Sequence, residues 1–272
     1  MNSGSEILSL DVIETSLTTK IIGKAPGVRN ELWAEIGSTN TRAAALAAEG
    51  CPEGVIVLAR QQTAGRGRPG RAWISPPDAG IAFSVVLRPQ LELSRLPLIT
   101  LATGVAVAQA IEASVGVRPG LKWVNDLTLH GKKLGGILAE MPGQALIIGI
   151  GINVRLEDSD LPAELKDRVE WLERAVGRPI DPNLIVVELA HKLETAYELL
   201  KAGKTEKIIT LWKDYSITIG QLIEATSNNQ SIKGRAVDIA HSGALIVEDE
   251  SGLRTEIVAG EISIRLQNGN YC

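Results

Sequence analysis

Between Gly120 and Val154 the chain passes through four short apolar segments with only turns between them, and this spacing rules out most folds. Residues 120–125 and 127–129 lead into a His130-Gly131 turn; residues 134–140 follow, then a Pro142-Gly143 turn and residues 145–154. Short aliphatic runs joined by hairpin-sized turns read as successive antiparallel strands. Parallel neighbours need a crossover of about a dozen residues or more, and no gap here is that long. Doubly wound α/β architecture is therefore excluded. The expected class is α+β, with a mixed, largely antiparallel sheet covered by helices.

The flanking segments supply those helices. Residues 39–49 are alanine-rich, follow a Gly37-Ser38 cap and stop at Gly50-Cys51-Pro52-Glu53-Gly54, which predicts a helix. Residues 55–59 and 81–87 read as strands on either side of a long loop, and a further helix is expected over about 98–114. The uncharged stretch between Arg95 and Glu112 is short for a membrane span and contains Pro97, Thr100, Thr103 and Gln109, so it reads as a buried helix. Residues 161–216 turn helical, with Ile185, Leu189, Leu193, Ala196 and Leu200 on one face that would cover the sheet. Residues 217–220, 222–225, 231–239, 244–248 and 255–258 then read as short strands separated by Asn228-Asn229, Ser242-Gly243 and Ser251-Gly252 turns. They predict a small separate β-barrel or sandwich. Residues 7–22 either add a strand or are loosely held.

Composition narrows the function classes. A formal net charge of −4 argues against a nucleic-acid-binding face spread over the whole surface. Two cysteines, Cys51 and Cys272, exclude a disulfide framework and a zinc-binding cysteine cluster, and a reducing cytoplasm is expected. The first twenty residues carry Glu6, Asp11 and Glu14 without a basic start or a long apolar block, so no secretory signal is read there. His130, His191 and His241 have no metal-ligand spacing.

Positive charge is concentrated in one loop. Gly65-Arg66-Gly67-Arg68-Pro69-Gly70-Arg71 holds three glycines and three arginines, and no acidic residue occurs between Glu53 and Asp78. The glycines satisfy the dinucleotide fingerprint, but Arg71-Ala72-Trp73 and Pro76-Pro77 lead toward a strand where that fingerprint needs a helix. No Lys-Ser or Lys-Thr follows, which removes the P-loop reading. What remains is a loop whose glycines admit close backbone approach and whose guanidinium groups suit phosphate oxygens, or else a solvated basic loop.

Three more constellations accompany it. In Gly120-Leu121-Lys122-Trp123-Val124-Asn125-Asp126, Lys122 is either a charge aimed into a cleft or a snorkelling side chain on a sheet rim. Gly149 and Gly151 interrupt an apolar strand that ends at Asn153, and glycines there mark close approach by a ligand or another backbone. Asn153 can read an adenine-like edge. Gly37-Ser38-Thr39-Asn40 offers hydroxyl and amide groups to a small polar ligand such as a ureido group, or simply caps a helix.

In order, Gly37-Ser38-Thr39-Asn40, the run from Gln62 to Arg68, Lys122-Trp123 with Asn125-Asp126, Lys133-Leu134 with Gly136-Ile137-Leu138, and Gly149, Gly151 and Asn153 resemble the motifs of biotin protein ligases. The resemblance runs from about Trp33 to Val154, and the β region after Tyr215 resembles the SH3-like C-terminal module of that family. It implies an N-terminal extension over 1–30, a class II synthetase-like catalytic domain over 31–214 and an SH3-like domain over 215–268. The implied reaction is ATP-dependent biotinylation of a lysine on the biotin carrier domain of a carboxylase such as acetyl-CoA carboxylase. It proceeds through biotinyl-5′-AMP with release of pyrophosphate, and Mg²⁺ accompanies ATP.

Carried over residue by residue, the resemblance puts Ser38, Thr39, Asn40, Gln62, Arg66, Gly67, Arg68 and Lys122 around biotin. Gly65, Arg66, Arg68, Arg71, Trp73, Gly149, Gly151 and Asn153 fall at the adenylate, with Trp73 stacking on the base. Lys122, Arg66 and Arg68 take the catalytic roles, and no protein ligand for Mg²⁺ is assigned. Val124 stands where the family usually has proline, with little consequence expected on a strand, and Pro69 follows Arg68 where the loop is usually more basic. Only 37 residues precede Ser38, which predicts a monofunctional ligase that binds neither DNA nor a membrane and leaves a homodimer open. Lipoate and octanoate enzymes would share the catalytic fold but lack the Gly-Arg-Gly-Arg loop. A non-catalytic biotin or nucleotide sensor would not need Lys122 together with Arg66 and Arg68.

Overall fold

The computed structural model describes residues 7–68, 70–89, 95–227, 230–258 and 263–266. Helix α1 (Leu10–Ser16) is followed by β1 (Glu31–Trp33), α2 (Thr39–Ala48), β2 (Ile56–Ala59), β3 (Gly80–Leu87) and α3 (Leu96–Val115). The predicted hairpin run forms β4 (Gly120–Lys122), β5 (Asp126–Leu129), β6 (Lys132–Glu140) and β7 (Leu146–Asn153). Helices α4 (Leu172–Val176), α5 (Pro182–Lys201) and α6 (Thr205–Tyr215) come next. The chain then enters β8 (Leu222–Ser227), β9 (Gln230–Ile239), β10 (Leu245–Glu248), β11 (Arg254–Ile257) and β12 (Ser263–Leu266).

The first seven strands form one sheet in the order β1-β2-β3-β7-β6-β5-β4, and every neighbouring pair is antiparallel except β1 with β2. Alternation divides the sheet into two unlike faces. Ile81, Phe83, Val85 and Leu87 of β3 and Ile148, Ile150 and Ile152 of β7 join the main core with α3, α5 and α6. The opposite face is far smaller in side-chain volume. Ser84 stands opposite Gly149, Ala82 opposite Gly151 and Gly136 opposite Gly151, so small residues, with Leu138 beside them, floor a cleft beside α2.

Helix α3 is apolar all round because it is surrounded; 78% of its most apolar stretch is buried, although it is long enough to cross a membrane. Pro97 in its first turn and Gly116 at φ 83° just past its end fix its limits. Helix α5 starts on an Asp181 cap followed by Pro182, and Ile185, Leu189 and Leu193 are almost fully buried. Each such side chain contributes about 1.5–3 kcal/mol.

The last five strands form a separate antiparallel sheet in the order β11-β10-β9-β8-β12, matching the small SH3-like domain expected. It meets the first sheet through Trp123, whose indole N–H donates to the Gly243 carbonyl at 3.1 Å. The Trp123 amide donates to Thr218 Oγ1 at 2.9 Å.

Three expectations need correction. Residues 7–22 neither add a strand nor lie loose: they contain α1 and put Leu8, Ile13, Leu17 and Ile22 in the main core. Their docking on α5 is polar as well, since the Glu194 carboxylate accepts backbone N–H bonds from Lys20, Ile21 and Ile22. The segment 120–125 is not one strand. Lys122 pairs with Asp126, so Trp123, Val124 and Asn125 make the connecting turn, and Val124 sits in that turn. Residues 217–220 are not a strand either: the Ile217 N–H bonds to the Leu121 carbonyl and the Gln221 N–H closes a turn on the Thr218 carbonyl. Pro69, the Asn228-Asn229 turn and Cys272 lie outside the described residues.

Candidate functional site

An open cleft of about 650 Å³ lies on the small-residue face of the sheet, between the start of α2 and the glycine-arginine loop. Gly37-Ser38-Thr39-Asn40 caps a helix and also places three side chains along the cleft. Ser38 caps α2, its hydroxyl accepting from the Thr41 amide at 3.5 Å, while the next two side chains are buried against the cleft. Gln62 Oε1 accepts from the Thr39 amide at 2.8 Å and lies 3.1 Å from the Thr39 hydroxyl.

Asn40 is the most constrained group. The Ser84 hydroxyl, fully buried in β3, lies 2.6 Å from Asn40 Oδ1 and 2.8 Å from Thr39 Oγ1. Asn40 Nδ2 donates to Glu140 Oε2 at 2.8 Å. A Cβ on Gly149 would stand 2.1 Å from Asn40 Oδ1, so the glycine admits this side chain. The close approach that the sequence assigned to a ligand or a backbone is made here by the protein's own amide. Among the described residues every buried side-chain nitrogen and oxygen has a partner, so this polar wall is preorganised.

The loop rises from a firm base. Arg60 donates to both oxygens of Asp78, at 2.6 and 2.7 Å, and the hydrogen bond from Arg60 holds the Asp78 carboxyl below its ordinary value. Above it the backbone closes as a narrow hairpin, with Trp73 N–H on the Gly65 carbonyl and Gly67 N–H on the Arg71 carbonyl, both at 2.9 Å. A Cβ on Gly65 would meet the Trp73 carbonyl oxygen at 2.4 Å, so that position requires glycine. Arg66 pairs with Glu140 at 2.9 Å, and Arg66, Arg68 and Arg71 all face the cleft.

The indole of Trp73 lies directly on β7, where a Cβ on Gly151 would meet Cε2 at 2.5 Å. The Lys133 ammonium stands 6.0 Å from the centre of that ring and 2.6 Å from Asp126 Oδ1. Four cations and two carboxylates therefore meet here, against the negative charge of the whole chain. Such a cleft favours an anionic ligand. Among the described residues no group of three His, Cys, Asp or Glu side chains is placed to hold a metal ion.

The structure thus brings Ser38, Thr39, Asn40, Gln62, Arg66, Gly67, Arg68, Arg71, Trp73, Gly149 and Gly151 around one cleft. Gly65 shapes the loop without lining the cavity. Lys122 is buried and stands opposite Asp126 in the β4–β5 pair without lining the cleft, whereas Lys133 does line it. Asn153 is also displaced from the main cleft. Its amide donates to the Glu170 carbonyl at 3.0 Å, and it lines a smaller neighbouring cavity on which Trp73 also borders. Sequence reasoning missed Ser84, Glu140 and Lys133 as site residues. Ser84 and Glu140 share the strand parity of Gly149 and Gly136, which locates them once the register is known. Lys133 has the opposite numerical parity to Gly136, but a register irregularity between them pairs Lys133 with Thr128 and Gly136 with Asp126, which puts both on one face.

The biotin/lipoate A/B protein ligase family model matches residues 33–156, and the biotin protein ligase C-terminal domain model matches residues 218–265. The bifunctional ligase/repressor BirA of Bacillus subtilis is 36% identical over 262 residues, covering 94% of this chain and 79% of that protein. The biotin–[acetyl-CoA-carboxylase] ligase of Mycobacterium tuberculosis is 34% identical over 257 residues, covering 92% of this chain and 94% of that one. Among solved structures, the biotin protein ligase of Aquifex aeolicus in complex with biotin and ATP superposes with a TM-score of 0.76 at 30% identity, over 88% of this chain and 100% of that one. Both matched regions coincide with the two sheets described above, and the cleft carries the motif residues of the first. The chain belongs to the biotin protein ligase family and is a ligase.

Proposed function

We propose that this ligase joins biotin to a lysine on the biotin carrier domain of a carboxylase, in two steps at the cleft beside α2. In the first step a biotin carboxylate oxygen attacks the α-phosphorus of MgATP, the bond to the β-phosphate oxygen breaks, and biotinyl-5′-AMP forms as pyrophosphate leaves. In the second, the carrier lysine, as a neutral amine, attacks the acyl carbon, AMP leaves and the amine sheds a proton. The observation that carries this reading is a fully bonded wall of Thr39, Ser84, Asn40 and Gln62 in the same cleft as Arg66, Arg68 and Arg71. A ureido group needs donors and acceptors held in place, and an acyl phosphate needs cations.

A carboxylate is already nucleophilic at neutral pH, so the first step asks for positioning and charge neutralisation more than for an acid–base pair. Ser38, Thr39, Asn40 and Gln62 hold the head group in this reading. Arg66 and Arg68, with Gly65 and Gly67 shaping the loop, close over the acyl phosphate, and Arg71 adds a phosphate contact. Lys122 and Lys133 flank Asp126, the first as its partner in the β4–β5 pair and the second through an ion pair at 2.6 Å. Lys122 keeps the role of stabilising charge at the α-phosphate. Gly151, Trp73 and Asn153 form the adenine end, while Gly149, also expected there, instead makes room for Asn40 on the head-group wall. The same reading has the enzyme work in the cytoplasm, without DNA or membrane, on its own or as a homodimer.

Biotin-dependent exchange of pyrophosphate into ATP tests the first step, run beside lipoate and octanoate. Exchange with biotin alone is expected, followed by label transfer to a biotin carrier domain. A folded sample that gives none with biotin refutes the assignment.

A further inference from the structure

Glu140 ends β6 and belongs to none of the sequence motifs, yet a single oxygen of its carboxylate joins the two halves of the cleft. Glu140 Oε2 accepts from Asn40 Nδ2 at 2.8 Å and from Arg66 Nη2 at 2.9 Å. The two donors differ in freedom. Asn40 is 4% exposed and is held by Ser84 at its other end, whereas the Arg66 side chain is 45% exposed on a glycine-rich loop. The amide is a fixed partner and the guanidinium is the one that can leave.

We propose that Glu140 is a positioning residue with two effects: it orients the Asn40 amide on the head-group wall, and it holds Arg66 until a ligand carboxylate or phosphate takes its place. The inference deepens the ligase reading and rests on it for the identity of the anion. An arginine N–H already engaged by a carboxylate must exchange that partner before it can bind another anion there. A pair this exposed biases such an exchange by about two- to fivefold, small enough for a ligand to overcome. Glu140 therefore tunes loop closure without blocking it.

Two variants separate the effects. Glu140→Gln keeps a carbonyl acceptor for Asn40 and removes the charge that holds Arg66; Glu140→Ala removes both. Without ligand, trypsin should cut after Arg66 and Arg71 about two- to fivefold faster in both variants than in the wild type. The increase that high NaCl causes in the wild type should vanish in both. Glu140→Gln should then bind biotinyl-5′-AMP about two- to fivefold more tightly than wild type. Glu140→Ala should bind biotin about tenfold more weakly, as expected when a buried amide loses its charged acceptor. The proposal is overturned if loop cleavage is unchanged in both variants, or if Glu140→Gln and Glu140→Ala weaken biotin equally. Wild-type biotin-dependent exchange on the same sample reads the ligase assignment separately, because the cleavage comparison needs no catalysis.

Discussion

Substituting Gly149 by alanine isolates the contact on which the head-group wall depends. The backbone at this position is ordinary strand, so alanine adds no conformational strain there. Its methyl group, however, would stand 2.1 Å from Asn40 Oδ1, 2.8 Å from Cγ and 3.0 Å from Nδ2. Asn40 must swing away and give up its bonds to Ser84 and Glu140. A neutral hydrogen bond contributes about 0.5–1.5 kcal/mol and one to a charged group about 1.5–3. Alanine in place of glycine within a strand returns about 0.5–1 kcal/mol. The expected net loss of stability is about 1–4 kcal/mol, with weaker biotin binding.

The control is the same change made in an Asn40→Ala background, both proteins unfolded in urea and titrated with biotin. With the amide gone the methyl group has space, so Gly149→Ala should cost almost nothing there. The coupling between the two positions then equals most of the single-mutant loss. An equal cost in both backgrounds would refute the claim that Asn40 is what the glycine accommodates.

Two further changes probe the rest of the molecule. Lys122→Ala should lower biotin-dependent exchange by about a hundredfold or more while circular dichroism stays native, as for removal of one group that stabilises transition-state charge. Exchange retained in Lys122→Ala but lost in Lys133→Ala would transfer the role to the lysine on the cleft wall. At Glu194, burial pushes the carboxyl up, but backbone bonds from Lys20, Ile22 and Ile21 together outweigh it, so its pKa is lowered from the ordinary 4.5. Its contribution is thus fully present above that value and is lost as the pH falls below it. Glu194→Gln should cost about 1 kcal/mol at neutral pH, the low end for bonds to a partly solvated carboxylate. The gap between variant and wild type should close as the pH falls through 4.5, and a gap that stays constant would show that the charge is not what docks α1.

What the sequence made legible was local or periodic. The hairpin run from Gly120, the α2 cap at Ser38 and the strand–loop–strand around Arg66 each follow from turn chemistry and alternation within a few residues. The unreadable parts depend on partners distant in sequence. Residues 217–220 look like a strand, but the Ile217 N–H is taken by the Leu121 carbonyl, nearly a hundred residues earlier, and the chain then turns. Trp123-Val124 looks like the continuation of β4, yet Lys122 already pairs with Asp126, which makes the apolar pair a turn. Helix α1 has only seven residues, and Asn183 on α5, 174 residues away, accepts the Ser9 N–H that opens it. In the site, the spacing of Gly149 and Gly151 was visible and the side chains that cover them were not.

Those coverings differ in kind, and the difference explains how one cleft serves two ligand parts. Gly149 lies under Asn40, which is anchored in the first turn of α2, bonded to Ser84 and Glu140 and almost wholly buried. Two residues along the same face, Gly151 lies under Trp73, which hangs from the glycine-rich loop and is only partly buried. One end of the floor thus has a fixed polar wall, and the other has a cover that can move with its loop. On the ligase reading, a head group binds at a finished surface and loses little in ordering it, whereas the adenine end is completed only as the loop closes. Glu140 accepts from Asn40 on the wall and from Arg66 on the loop through one oxygen, and on the exchange proposed for Arg66 the state of the loop is then sensed at the wall and the state of the wall at the loop.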